Sequence, residues 1–230
     1  HESLFCARPG LDVWKASAWA ESKDYYNSKE VMEAARLMLS VADKYKGNNN
    51  FEYDLVDVLR QAIAEKGRLT LKVVSAAYKA EDKALFKQAS ERFLQLILLQ
   101  DELLGTRQEF RVGNWTTMAR NIGPTPEEKN LYEWNARVQI TTWGNRSASE
   151  RGNLHDYAHK EWNGILKDFY YMRWKTYFDA LTATLEGKPM PKIDWYAIEE
   201  PWTKGSDTYT AQPEGNCVEI AKKVYKEVFE

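Results

Sequence analysis

The chain has 230 residues, 43% of them hydrophobic and 29% charged, enough to bury a full core. Its 32 basic and 34 acidic residues leave a formal charge of −2, so nothing in the electrostatics favours a nucleic acid or an anionic membrane. No apolar run approaches the ~20 residues that span a bilayer, and nine Trp within a 13% aromatic content point first to inter-helix packing.

In chain order, residues 1–26 show no clean periodicity. Arg8-Pro9-Gly10 is a turn signal. Trp14, Trp19, Tyr25 and Tyr26 are large groups on an irregular segment expected to pack across other elements. The chain begins at His1 with neither an initiator Met nor a signal-peptide pattern, so it reads as a fragment or processed chain and is silent on compartment. Asn27-x-x-Glu30 has the form of a capping box. Val31, Ala35, Met38, Ala42 and Tyr45 then recur at helical spacing until Gly47-Asn48-Asn49-Asn50 stops the helix. The next helix is expected over about 52–79, with Leu55, Leu59, Ile63, Lys66, Leu69, Val73, Ala76 and Ala77 on its buried side. Gly67 costs that helix about 1 kcal/mol and marks a kink or close packing. A third helix over about 82–104 carries Leu85, Ala89, Phe93, Leu96, Ile97 and Leu103, forms an αα-hairpin with the second, and stops at Gly105.

A shorter helix over about 109–122 ends at Gly123-Pro124. Thr125-Pro126-Glu127-Glu128 is a strong helix start, with a capping Thr, Pro in the first position and Glu in the third. That helix holds Leu131, Trp134, Val138 and Thr141 and delivers Trp143-Gly144 at its end. After a polar loop, 145–152, Asn153 reads as an N-cap with Asp156 near the positive end of the helix dipole. The cap predicts one long aromatic helix over 153–185, containing Trp162, Phe169, Tyr170, Tyr171, Trp174, Tyr177 and Phe178, and brings Trp143 close to Tyr157. Residues 188–215, with Pro189, Pro191, Pro201 and Pro213, read as extended. Asn216 caps a last helix with Val218, Ala221, Val224, Tyr225 and Val228 on its apolar side. No repeat or strand-period segment stands out. The fold class is all-α, one irregular bundle of about six to eight helices over 1–230.

Several groups invite chemistry. His155 and His159 are spaced i, i+4, but the zinc-protease pattern needs Glu directly after the first His, and Asp156 stands there, so no metal site is assigned. Glu127-Glu128 is accounted for by helix capping. Glu199-Glu200 lies among Trp195, Tyr196 and Trp202, company suited to a sugar cleft, yet adjacent carboxylates rarely converge on one glycosidic bond. No Ser-His-Asp order and no Gly-rich phosphate loop stand out. Cys6 and Cys217 read as unpaired, partly buried thiols, bridged only if the chain ends meet. Asn114-Trp115-Thr116 and Asn145-Arg146-Ser147 fit the N-glycosylation pattern without deciding anything. The best binding candidate is the Trp143 and Tyr157 cluster. Flat aromatic faces stack on the C–H surfaces of sugars, and Asn, His and Asp can fix hydroxyls.

Three blocks carry a resemblance: Arg137-x-Gln139-Ile140-Thr141-x-Trp143-Gly144, Asn153-Leu154-x-Asp156-Tyr157-Ala158 and Tyr170-x-x-Arg173-Trp174-x-x-x-Phe178. Together with Phe51-x-Tyr53-Asp54-Leu55-x-Asp57-x-x-Arg60-Gln61 and Gln212-Pro213-x-Gly215-x-x-Val218, they resemble the C-terminal all-helical domain of the α-N-acetylglucosaminidases, glycoside hydrolase family 89. The resemblance implies a preceding TIM-like barrel that holds the two catalytic Glu and removes terminal α-linked N-acetylglucosamine with retention. This chain would then hold no catalytic residue and no complete active site, take no cofactor, have the barrel as its partner, and belong to an exported (periplasmic, extracellular or lysosomal) enzyme. Carried over by position, Trp143 and Tyr157 wall the terminal sugar subsite and Leu154 contacts it apolarly. The loop 145–152 is longer than in some relatives. The alternative is a stand-alone helical carbohydrate-binding or scaffold module without catalysis.

Overall fold

The computed structural model describes residues 3–13, 16, 26–205 and 208–230. Eight α-helices run through the described residues: α1 (Ser28–Val41), α2 (Asn49–Lys79), α3 (Lys83–Leu104), α4 (Val112–Ile122), α5 (Pro126–Gln139), α6 (Tyr171–Leu185), α7 (Trp195–Lys204) and α8 (Cys217–Phe229). None of the described helices is long and apolar enough to cross a membrane. Most helix starts follow local chemistry. The side chains of Asn27, Asn48, Asp82, Asp194 and Asn216 each accept from a first-turn N–H. Thr125 and Glu128 form a reciprocal capping box at α5.

The long α2–α3 hairpin is the spine. α1 and α8 pack on one side of it and α6 on another, while α4 and α5 form a second hairpin that α7 joins. Leu4, Phe5, Cys6 and Ala7 are fully buried, so the start of the described chain threads the core. Phe5 meets Phe93 edge-on at 5.3 Å between ring centroids, and Phe93 lies 4.5 Å from Trp174. The Trp174 indole N–H donates to the Phe5 carbonyl at 3.0 Å. Gly67 resolves into close packing: a Cβ there would stand 2.6 Å from the Phe5 ring. Cys6 and Cys217 are both buried and unpaired.

Four expectations need correction or fall outside the description. The aromatic helix does not start at Asn153. Asn153 and Asp156 hold φ of 52° and 61°, in the left-handed region that a right-handed helix cannot use. Regular structure resumes only with a π-turn at Leu166–Tyr170, which runs into α6. Its start is secured from α3, where the Asp101 carboxylate accepts from the N–H groups of Gly164 at 2.7 Å and Lys167 at 3.2 Å and from Asn163 Nδ2 at 2.8 Å. The stretch 188–215 is not extended throughout, because it contains α7. Asp194 caps that helix, and burial of Tyr196, Glu199, Trp202 and Thr203 outweighs the backbone bond lost at Pro201. In the second half of α2 the buried side runs through Ala64, Gly67, Leu71 and Val74, where Phe5 presses on the helix. Leu69 and Val73 are therefore exposed, as is Leu85 opposite them on α3. Trp14, Trp19 and Tyr25 lie outside the described residues. Tyr26 is exposed and its hydroxyl donates to Glu65 at 2.7 Å.

Candidate functional site

The candidate site is the turn-rich loop between α5 and the Leu166 π-turn. α5 ends at Gln139, and the chain reverses until Trp143, whose N–H donates back to the Val138 carbonyl at 2.8 Å. Trp143 holds φ 59° and Gly144 φ 158°. A single π-helical turn, Ser147–Arg151, follows, and Leu154 N–H donates to Ala148 at its start. The two sides of the loop are clipped together by Asp156 N–H, which donates to the Thr141 carbonyl at 2.8 Å.

This folding brings together the residues that the sequence singled out. The Trp143 and Tyr157 rings meet at 5.0 Å between centroids, tilted by 56°. Tyr157 is 61% exposed and Trp143 half-buried, so the pair presents aromatic surface outward. Leu154 is half-buried and its carbonyl accepts from Tyr157 N–H at 3.2 Å. His155 and His159 do not share a helical face. His155 Nδ1 lies 2.9 Å from Asp156 Oδ2 and His159 Nδ1 lies 3.0 Å from the Asp156 carbonyl. An ionised carboxylate can only accept, so His155 carries its proton on Nδ1. Among the described residues no three His, Cys, Asp or Glu side chains converge on one point as metal ligands would.

Beneath the aromatic pair lies a buried chain of charges. Arg173, on α6 and fully buried, donates to Asp156 Oδ2 at 3.0 Å, and the same nitrogen is 2.9 Å from Oδ1. The Arg173 Nε lies 2.9 Å from Glu199 Oε1, and Nη1 donates to the Cys6 carbonyl at 3.2 Å. Glu199, on α7, accepts in turn from Arg8 Nε at 3.0 Å and Nη2 at 2.8 Å. Arg8 reaches the loop itself through both Glu150 oxygens, at 3.1 and 2.7 Å, and the Ser149 hydroxyl at 3.3 Å. Burial pushes the Asp156 carboxyl up, but Arg173 and then His155 overcome it and hold it below the usual carboxylate range. Burial likewise works against the charge on Arg173, and Asp156 and Glu199 reverse that, leaving it more firmly protonated than a free guanidinium. Glu161, close behind the loop, has Arg60 at 3.9 Å, and its burial raises the carboxyl above its ordinary value.

The sequence did not reveal this framework. Asp156 reads as a helix-dipole residue and is instead a buried ion-pair partner. Glu199 reads as half of an adjacent carboxylate pair in an extended, aromatic stretch suited to a sugar cleft, and is instead buried on α7. One signal was present: Arg173 is the one charge between Phe169 and Trp174, and a charge inside an aromatic run is held there only by partners.

The family model described as "Alpha-N-acetylglucosaminidase (NAGLU) C-terminal domain" matches residues 1–227. The chain belongs to that family. It is 30% identical to the human α-N-acetylglucosaminidase over 231 residues, covering 98% of this chain and 30% of the human protein. Among solved structures, the family 89 glycoside hydrolase of Clostridium perfringens bound to PUGNAc superposes with a TM-score of 0.91 at 36% identity, over 96% of this chain and 26% of that one. The same bacterial enzyme, carrying two Glu-to-Gln substitutions and bound to its substrate GlcNAc-α-1,4-galactose, gives 0.92 at 36% identity, over 98% of this chain and 26% of that one. The bacterial enzyme in complex with 2-acetamido-1,2-dideoxynojirmycin gives 0.93 at 35% identity, over 99% and 27%. The chain thus spans under a third of the length of each of these relatives.

Proposed function

We propose that this chain is the C-terminal helical domain of a longer, retaining α-N-acetylglucosaminidase and supplies part of its sugar pocket. The observation that carries the reading is the Trp143–Tyr157 pair, two rings 5.0 Å apart that offer surface outward from a loop anchored by buried charges. Aromatic faces of this kind stack on the apolar face of a pyranose, and Leu154 adds apolar contact beside them. Catalysis belongs to a partner domain of the same polypeptide. On this side the pocket gains shape and water exclusion, with terminal α-linked N-acetylglucosamine as the ligand. Glu127 and Glu128 are part of the α5 start, and Glu199 is held between two arginines, so neither adjacent pair takes the acid and nucleophile roles.

The test is kcat/KM of the longer enzyme on an aryl α-N-acetylglucosaminide, with Trp143→Ala beside wild type. Loss of an aromatic wall lowers kcat/KM by about tenfold, ~1.4 kcal/mol, at unchanged thermal stability. Wild-type kinetics in the variant would make Trp143 a packing residue and the chain a scaffold. Export is part of the same proposal and is checked by fractionating the native source.

A further inference from the structure

We infer that Asp156 is a positioning residue for the sugar-facing wall, fixing Tyr157 against Trp143 from beneath; the inference rests on the reading that these two rings line the pocket. Asp156 joins the two halves of the loop by separate means. Its backbone N–H is clipped to Thr141, two residues before Trp143. Its carboxylate, with no exposure, accepts through Oδ2 from Arg173 Nη1 and from the His155 N–H, and its Oδ1 lies 2.9 Å from the same Arg173 nitrogen. Its φ of 61° sets the direction in which the next residue, Tyr157, leaves the turn. Arg173 is held independently of the loop by Glu199 on α7, by the carbonyl of Cys6 in the core and by the Phe169 ring, whose centroid lies 4.4 Å from its guanidinium carbon. Glu199 is itself clamped by Arg8, which also holds Glu150 of the loop. Tyr157 is therefore referenced to three separate parts of the bundle through the single residue before it.

The experiment uses the longer enzyme and two readouts, KM against kcat on an aryl α-N-acetylglucosaminide and Kd for 2-acetamido-1,2-dideoxynojirmycin. The informative variant is Asp156→Asn. Asn tolerates the left-handed backbone and keeps an acceptor, but it removes the charge that holds Arg173 and His155. A misplaced wall weakens sugar binding in ground and transition states alike, so KM and Kd rise by about fivefold while kcat per folded molecule is kept. If Asp156 serves stability alone, fewer molecules fold: apparent kcat falls and KM and Kd stay at wild-type values, which would overturn the inference.

Should Asp156→Asn fail to fold, Glu150→Gln answers the same question from the half-exposed end of the charge chain. A rise of about twofold or more in KM supports the framework, and an unchanged KM overturns it. Trp143→Ala separates the two levels. Wild-type kinetics there remove the underlying reading. A drop there together with an unmoved KM in the folded Asp156→Asn protein removes the positioning role alone.

Discussion

Arg173 Nη1 sits 2.9 Å from Asp156 Oδ1, and solvent reaches neither side chain. Such a pair gives little net stability when intact, but removing one partner leaves a charge stranded in a poorly polarisable interior. Asp156→Ala is expected to cost about 3 kcal/mol or more in urea unfolding. A loss below about 1 kcal/mol would mean that Glu199 alone suffices for Arg173.

The same residue predicts a pH dependence. The folded carboxyl of Asp156 lies below its unfolded value, so its contribution is fully present above that unfolded value and is lost as pH falls through the folded one. The stability gap between wild type and Asp156→Asn should be constant above about pH 5 and close progressively below about pH 4. Denaturant midpoints across that range measure it, and a gap that widens on acidification contradicts the assignment.

Asp101 predicts the opposite sign. Burial is the largest influence and raises its carboxyl to about 6, although the N–H groups of Gly164 and Lys167 pull the other way. A raised folded value means that its contribution is complete below the unfolded value of about 3.9 and is lost as pH rises through about 6. Wild type should therefore lose stability relative to Asp101→Asn between about pH 4 and pH 6. A flat difference across that interval would show that the three N–H donors cancel the burial.

Gly67→Ala tests the packing of the threaded segment. In an open helix this change would gain about 1 kcal/mol. Here the new methyl meets the buried Phe5 ring at 2.6 Å, so the ring must shift within a filled core. A net loss of about 1–3 kcal/mol is expected, with part of it recovered by adding Phe5→Leu. A stabilised single variant would mean that the ring moves freely.

Thr125→Ala removes the hydroxyl that accepts from Glu128 N–H at 3.2 Å in the α5 capping box. The expected loss is about 1 kcal/mol, read from thermal or denaturant unfolding, with Trp143 kinetics in the longer enzyme unaffected because the cap lies at the far end of α5.

The sequence by itself determined the all-α class, the α2–α3 hairpin, the start of α5 and the last helix. Periodicity and caps act within a few residues, and those elements depend on little else. Only the tertiary structure decided where the aromatic helix begins. Asn153 looks like a cap, but the cap that operates is Asp101 on α3, 62 to 66 residues before the groups it holds. Only it made Asp156, Glu199, Arg8 and Glu150 one framework around Arg173, drawn from the threaded segment, the loop, α6 and α7. A buried ion pair is specified by three-dimensional proximity and desolvation, and neither leaves a period in the chain.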